Sequence, residues 1–236
     1  MSPEAAALIE AAAAPYRAAG RFAWHFARGK LRHDPVFIEL LRRGAFAGDG
    51  LRVLDLGCGQ GVLYALIAAA QSAHADAGWP RDWPPPAARV ALRGIDLRSE
   101  AIRRARAAFG DAARFEHGDV CTAALDQADV VVMMDVLHYL PPERQEGLLD
   151  AVAGAVPRGG RFITRVGDAA AGSRYALTRA GDWLVTVARG TLRPRFHCRT
   201  AAEWSALLSR RGFAVVAEPM SAGTPFANVL LTATRR

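Results

Sequence analysis

The sequence has little cysteine and no long hydrophobic run. Its three cysteines, Cys58, Cys121 and Cys198, form no C-x-x-C pair, so neither a disulfide framework nor a zinc site is expected. No uncharged apolar stretch reaches about 18 residues, so no membrane-spanning helix is predicted. The N-terminus lacks the basic and apolar regions of a signal peptide, which predicts a cytoplasmic protein with reduced thiols.

Lysine is almost absent as well. Lys30 is the single lysine among 30 basic residues, and 23 acidic residues leave a formal net charge of +7. A basic chain favours acidic partners or nucleic acid, but the strong preference for arginine indicates biased composition. No run of five basic residues occurs, which argues against a nucleic-acid tail. Of the 236 residues 51% are hydrophobic, which is typical of a globular protein with a substantial core.

The chain begins with helices and continues with alternating strands and helices. The first fifty residues carry no strand pattern, and their helix-start signals, Ser2-Pro3-Glu4 and Asp34-Pro35, predict one helix to about Ala19 and another that ends at Gly44, with a short aromatic segment at 21–28 between them. Later helices are predicted at 60–70, 99–109, 141–156 and 200–211, the last with a capping box formed by Thr200 and Glu203. From Leu51 onward apolar runs alternate with helical periodicity, which favours a parallel sheet with helices on both faces. The last two strands are joined by a short loop and must be antiparallel. Seven strands are predicted, at 51–56, 89–95, 112–116, 129–134, 161–166, 213–218 and 226–234.

A glycine-rich turn, Gly57-Cys58-Gly59-Gln60-Gly61, follows the first strand. Such a turn lets a ligand approach the main chain closely. A dinucleotide-binding fingerprint reads G-x-G-x-x-G, whereas here the third glycine comes one residue early and Val62 stands in its place. Asp55 would also set a negative charge near a pyrophosphate. The turn therefore suits a ligand with a positive group and no phosphates, and it disfavours the alternative of a Rossmann-type oxidoreductase.

The segment Val53–Gly61 resembles the first motif of class I S-adenosylmethionine-dependent methyltransferases, and four later features follow in that family's order. These are Asp96 at the end of the second strand, Gly118-Asp119-Val120 after the third, Asp135 to Leu140 after the fourth, and Pro157-Arg158-Gly159-Gly160 before the fifth. The resemblance spans Leu51 to Arg236. It implies an α/β protein with a Rossmann-like, doubly wound, seven-stranded and mostly parallel sheet, a C-terminal antiparallel hairpin and an N-terminal helical lid. The implied regions are the lid, 1–50, and a methyltransferase domain, 51–236.

The same resemblance implies S-adenosylmethionine as the cofactor and no metal. A carboxylate at a strand end, such as Asp96, can accept hydrogen bonds from both ribose hydroxyls. By resemblance, Asp119 faces the adenine amino group between Leu97 and Val120, and Asp55 supports the ammonium of the methionine end. The alternative is that Asp96 and Asp119 only cap loops or helices. The implied cofactor-binding residues are Asp55, Gly57, Cys58, Gly59, Gly61, Asp96, Leu97, Gly118, Asp119, Val120 and Asp135.

Two histidines are candidate catalytic residues. Methyl transfer mainly requires that nucleophile, carbon and sulfur are positioned in line, and a base helps where the nucleophile is a hydroxyl. His138 follows the fourth strand, at the sheet edge where ligands bind in open parallel sheets; simple packing beside the cofactor is the alternative. His25 lies in the aromatic segment Phe22–Phe26, where attachment of the lid to the core is the alternative.

The acceptor is expected to be a small molecule. The fourth motif lacks the N/D-P-P-Y/F signature of enzymes that methylate amide or base nitrogens. A further pattern resembles methyltransferases encoded with aryl-polyene pigment pathways in bacterial secondary metabolism, and it implies an aryl or phenolic acceptor, free or carrier-bound. RNA methylation, motivated by the charge of +7, is the alternative. The residues of that pattern are Phe26–Arg32, Asp34–Phe37, Trp79, Trp83 and Pro225–Val229.

Overall fold

A computed structural model of the chain describes residues 1–172, 183, 196–221 and 226–236. These residues form a seven-stranded mixed sheet with flanking helices, and the predicted α/β class with its C-terminal antiparallel hairpin is confirmed. The chain divides into two compact units, Met1–Ala123 and Ala124–Arg236. The predicted loop between the last two strands, including Pro225, lies mostly outside the described residues. Within those residues, no helix has both the length and the apolar composition to cross a membrane.

The first unit has three helices before its first strand and then alternates strand and helix. Its helices are α1 (Pro3–Ala13), α2 (Arg21–His33), α3 (Pro35–Arg42), α4 (Val62–Ala75) and α5 (Ser99–Phe109), with 3-10 turns at Ala14–Arg17 and Gly110–Ala112. Its strands are β1 (Gly50–Leu56), β2 (Arg89–Asp96) and β3 (Arg114–His117). β2 lies between the other two and is parallel to both. The carboxyl ends of the three strands therefore meet at one edge, where Leu56 pairs with Ile95, and Asp96 with His117.

Side-chain caps explain where the N-terminal helices begin and end. The hydroxyl of Ser2 accepts a hydrogen bond from the amide of Ala5 at 3.2 Å, as the sequence predicts. The first helix is shorter than predicted: it ends at Ala13 and not at Ala19. It ends there because Pro15 lacks the amide hydrogen that a continuing helix needs. The second helix is longer than the predicted 21–28 and reaches His33. Its stop is Asp34, whose carboxylate accepts from the amide of Val36 at 3.3 Å and begins α3.

The second unit contains the remaining four strands. Its elements are β4 (Val130–Met134), a 3-10 turn at Leu137–Tyr139, α6 (Pro142–Ala155), β5 (Arg161–Gly167), α7 (Ala201–Arg210), β6 (Phe213–Pro219) and β7 (Asn228–Arg235). β5 is parallel to β4 and antiparallel to β7, and β7 is antiparallel to β6. The predicted capping box of α7 is present: Thr200 accepts from the amide of Glu203 at 3.2 Å, and Glu203 accepts from the amide of Thr200 at 2.7 Å.

The Trp- and Pro-containing loop after α4 packs within the first unit. The rings of Trp79 and Trp83 meet edge to face with centroids 5.5 Å apart. The amide of Ala87 donates to the carbonyl of Phe46 at 2.7 Å, which holds the end of the loop against the segment after α3. These contacts pack the loop against other residues of the first unit.

Candidate active site

The glycine turn between β1 and α4 is shaped by backbone conformations that favour glycine. Gly57, Gly59 and Gly61 have φ angles of +82°, +58° and +80°, which side chains disfavour. At Gly61 a Cβ atom would lie 2.7 Å from the ring of Phe115. The amides of Gly57 and Cys58 both donate to the carbonyl of Ile95, at 2.8 and 3.2 Å. The turn is thus fixed to the end of β2, and α4 begins at Val62 rather than at the predicted Gln60.

Asp96 joins the end of β2 to this turn through its side chain. One carboxylate oxygen accepts from the amide of Gly59 at 2.8 Å, and the other accepts from the amide of Arg98 at 2.8 Å. The guanidinium of Arg98 also donates to Asp96, through Nε at 3.2 Å. The same guanidinium lies 3.4 Å from the position of a Cβ on Gly59. Arg98, half exposed at 46%, therefore lies over both the turn and the carboxylate.

Two further groups at this site are buried: Asp55, near the end of β1, and Cys58, in the turn itself. Asp55 is 5% exposed, and burial, followed by the negative charge of Asp96, raises the pKa of its carboxyl group to about 8. Burial also raises the pKa of the Cys58 thiol, and the charges of Asp55 and Asp96 add to this effect. The thiol is therefore neutral, and the acidic groups beside the turn are ones that a bound cation would stabilise in their ionised form.

The remaining predicted cofactor residues of the first unit lie at the ends of β2 and β3. Leu97 is 68% exposed and Val120 only 7%. The amide of Gly118 donates to the carbonyl of Asp96 at 3.1 Å, and the carboxylate of Asp119 accepts from the amide of Cys121 at 3.0 Å. Both segments therefore leave the same edge of the strands as the glycine turn. Ten of the eleven predicted cofactor residues lie in this unit.

Asp135 and His138 lie in the second unit. Asp135 has a φ of +57°, and its carboxylate is bound by both arms of the Arg165 guanidinium, with 2.8 Å from Nε to one oxygen. The Arg165 side chain is 4% exposed and that of Asp135 33%, so the arginine end of this ion pair is buried and the carboxylate is partly accessible. The sequence analysis did not predict this partner of Asp135, because the two residues are thirty positions apart.

His138 lies in the 3-10 turn after β4 and is 8% exposed. Its ring packs against Tyr139, with centroids 4.1 Å apart, and Phe196, at 5.8 Å. Burial lowers the pKa of His138; the negative charge of Asp135 opposes this and the positive charge of Arg165 adds to it. The imidazole is therefore neutral at pH 7 and has the protonation state that a base requires.

Gln145 on α6 holds the turn that carries His138. This side chain is fully buried, and its amide nitrogen lies 3.1, 3.0 and 2.7 Å from the carbonyl oxygens of Leu137, Leu140 and His197. Its two hydrogens are therefore shared among three acceptors. His197 in turn donates its amide hydrogen to the carbonyl of His138 at 2.8 Å. Sequence reasoning missed Gln145, although a glutamine on the apolar side of a helix is a recognisable signal for a buried hydrogen-bonding group.

His25 has a different environment from His138. It lies on the exposed face of α2, and its ring contacts that of Trp24 with centroids 4.5 Å apart. The exposed aromatic rings on this face are those of Phe22 and Phe26, which stack on each other. Among the described residues, no cluster of three histidine, cysteine or acidic side chains could hold a metal ion.

Comparison with known proteins supplies the family context for this geometry. A family model described as a methyltransferase domain matches residues 23–218. Among solved structures, the magnesium protoporphyrin IX methyltransferase of Synechocystis PCC 6803 with bound S-adenosylhomocysteine is 21% identical, with a TM-score of 0.60 over 93% of this chain and 92% of that one.

Two further solved structures have the same fold. One is a chain from the complex between the Haloferax volcanii Trm112 methyltransferase activator and a methyltransferase. It is 19% identical in sequence to this chain, with a TM-score of 0.63 over 96% of each chain. An O-methyltransferase family 2 protein from Planctomyces limnophilus, in complex with apigenin, is 18% identical, with a TM-score of 0.61 over 90% of this chain and 60% of that one. At these identities the likeness shows the shared fold.

Proposed function

The chain belongs to the methyltransferase domain family, and from this premise we propose that it transfers a methyl group from S-adenosylmethionine to a small-molecule acceptor, an aryl or phenolic compound. The single observation that carries the proposal is the Asp96 carboxylate, held at the end of β2 against the amide of Gly59 in the glycine turn. A buried strand-end carboxylate beside a glycine turn suits a ligand that presents a diol and a cationic group.

The site residues have separate roles in this proposal. Asp96 accepts the hydrogen bonds of the ribose hydroxyls, while the exposed Leu97 offers an apolar surface to the adenine and Asp119 accepts from its amino group. Asp55 is the counter-charge for the ammonium of the methionine end. Because Arg98 now donates to Asp96, its exposed guanidinium has to give way when the ribose binds.

His138 is the proposed base for a hydroxyl acceptor. A neutral imidazole can take the proton that a phenol loses as its oxygen attacks the methyl carbon. The sulfonium supplies the activated methyl group, so the chain's main contribution is to position the reactants and to remove this proton. Gln145 keeps the turn of His138 in place through three backbone carbonyls.

Three observations support the acceptor class. The sequence after β4 lacks the signature of enzymes that methylate amide or base nitrogens. One protein of the same fold is an O-methyltransferase in complex with apigenin, which is a phenol, and another is a methyltransferase named for a porphyrin. The sequence pattern that resembles methyltransferases encoded with aryl-polyene pathways favours an aryl acceptor. The proposal includes an aryl acceptor that is bound to a carrier.

Calorimetric titration with S-adenosylhomocysteine tests the cofactor site. We expect Asp96→Ala to weaken binding about 100-fold, because two hydrogen bonds to a charged acceptor are lost. Asp111→Ala, which removes an exposed acid in the same unit, is the control and should bind like the wild type. Equal affinity of the folded Asp96→Ala variant and the wild type would remove Asp96 from the site.

A further inference from the structure

Two buried hydrogen bonds connect the glycine turn to the helices that precede β1. The phenol of Tyr16 donates to the backbone carbonyl of Gln60 at 2.9 Å, and the side-chain amide of Gln60 donates to the carbonyl of Ala23 at 2.8 Å. Tyr16 lies between α1 and α2, and Ala23 lies in the first turn of α2. One residue of the turn is thus held twice by the N-terminal helices.

Gln60 is well placed to anchor the turn. Its neighbours Gly59 and Gly61 have no side chains, so this part of the turn can be held from outside only through Gln60 and through backbone groups. Gln60 is 3% exposed, and its backbone carbonyl and side-chain amide are both used. A buried polar group of this kind is costly when its partner is removed.

Tyr16 is fully buried and its ring meets that of Phe109 edge to face, with centroids 5.2 Å apart. Burial, followed by the charges of Cys58 and Asp55, raises the pKa of Tyr16 well above its ordinary value. The phenol therefore stays protonated and remains a donor over the whole physiological pH range. Its rigid surroundings fix the direction of the hydrogen bond to the turn.

We infer that Tyr16 and Gln60 are positioning residues through which the N-terminal helices set the conformation of the glycine turn, and with it the affinity for the cofactor. The inference rests on the proposed function, because it takes the turn as the binding site of the methionine end. The coupling is reciprocal by thermodynamic linkage: a cofactor bound at the turn stabilises α2. The helices ahead of β1 are then part of the cofactor site as well as neighbours of it.

Tyr16→Phe is the first test, because it removes only the hydroxyl. Tyr64→Phe is a matched control: Tyr64 also meets Phe109 edge to face, at 5.1 Å, and also donates to a backbone carbonyl, that of Ala112 at 3.0 Å, outside the turn. We expect Tyr16→Phe to weaken S-adenosylhomocysteine binding about fivefold, as one lost buried hydrogen bond implies. Tyr64→Phe should stay within about twofold of the wild type.

Hydrogen exchange of the full chain gives the second readout. Addition of S-adenosylhomocysteine should slow exchange at the amides of α2 around Trp24 to Ala27 in the wild type. Gln60→Met keeps the size of the side chain but removes the donor to Ala23, so this protection should be lost or strongly reduced even at saturating ligand. A merely structural role would lower the thermal stability and leave the ligand-induced protection unchanged.

The outcomes separate the inference from the function on which it rests. A wild-type chain that does not bind S-adenosylhomocysteine contradicts the proposed function itself. The coupling alone is overturned if the wild-type chain binds the ligand but neither variant behaves as expected. In that case Tyr16→Phe binds as tightly as Tyr64→Phe, and Gln60→Met keeps the ligand-induced protection of α2. Weaker binding of Tyr16→Phe together with lost protection in Gln60→Met supports it.

Discussion

Asp55 and Asp96 are two carboxyl groups close enough for the charge of one to affect the other. Burial, followed by the negative charge of Asp96, raises the pKa of the Asp55 carboxyl group to about 8. A cation placed beside Asp55 opposes both effects, because it stabilises the ionised carboxylate. Cofactor binding should therefore be coupled to ionisation of this group.

The pH dependence of binding tests this coupling. Below pH 8 the free chain holds Asp55 largely protonated, and binding of a cationic ligand to the carboxylate then has to release a proton. The affinity for S-adenosylhomocysteine should therefore rise as the pH increases from 6 to about 8 and level off above.

Asp55→Asn is the control for this prediction, since the ligand's own titration is the same for both chains. The variant should bind more weakly at pH 8, and its affinity should lack the part of the pH dependence that comes from Asp55. Parallel affinity profiles of the two chains between pH 6 and 8 would show that Asp55 takes no part in binding.

Among single residues, the glycines of the turn and Asp96 could be placed from the sequence, because their spacing and the ends of the predicted strands identify them. Three contacts could not be predicted from the sequence. They are the position of Arg98 over Asp96, the ion pair of Arg165 with Asp135, and the hydrogen bonds of Tyr16. These contacts join residues through the tertiary structure, and no local pattern of the sequence encodes them.

At the scale of elements, the turn between β4 and α6 shows how a helix can position a candidate catalytic side chain. Gln145 on α6 binds carbonyls on both sides of His138, so the turn has little freedom to move. The strand and the helix were predicted close to their observed bounds, since β4 is a continuous apolar run and Pro142 opens the helix. The contacts of the buried Gln145 side chain were not predicted, because one of the carbonyls that it binds belongs to His197, which is distant in the sequence.

His138→Gln tests the proposed base in this turn. We expect methyl transfer to a hydroxyl acceptor to slow about 100-fold, in the range of general-base contributions, while the affinity for S-adenosylhomocysteine stays within about twofold. Because burial lowers the pKa of His138, the imidazole of the wild type remains neutral below its ordinary titration range. The rate of the wild type should therefore stay level from pH 8 down to about 6.5. An unchanged rate in the folded variant would leave His138 with a packing role.

For the whole molecule, the fold was the part most accessible to prediction. Alternating apolar strands and periodic helices predicted the parallel sheet, and the short link between the last two strands predicted the hairpin. Boundaries differed where a proline or a cap decided them, as at Pro15 and Asp34. The division of the chain at residue 123 was not predicted, since it depends on how contacts are distributed in space.

The net charge of +7 is the whole-molecule property that keeps RNA as the competing acceptor. Binding of RNA through arginine would weaken steeply with salt, because counterions released from the phosphates oppose it. A small neutral acceptor would show no such dependence. The identity of the methylated product therefore decides between the two classes.

The proposed acceptor is identified by incubating the purified chain with deuteromethyl S-adenosylmethionine and a bacterial lysate, and then separating small molecules, RNA and protein. We predict that the label appears in a small molecule whose mass is higher by one deuterated methyl group, and that His138→Gln reduces it. Label confined to RNA or protein would contradict the proposed acceptor class, and failure of the wild-type chain to bind or consume the cofactor would contradict the account as a whole.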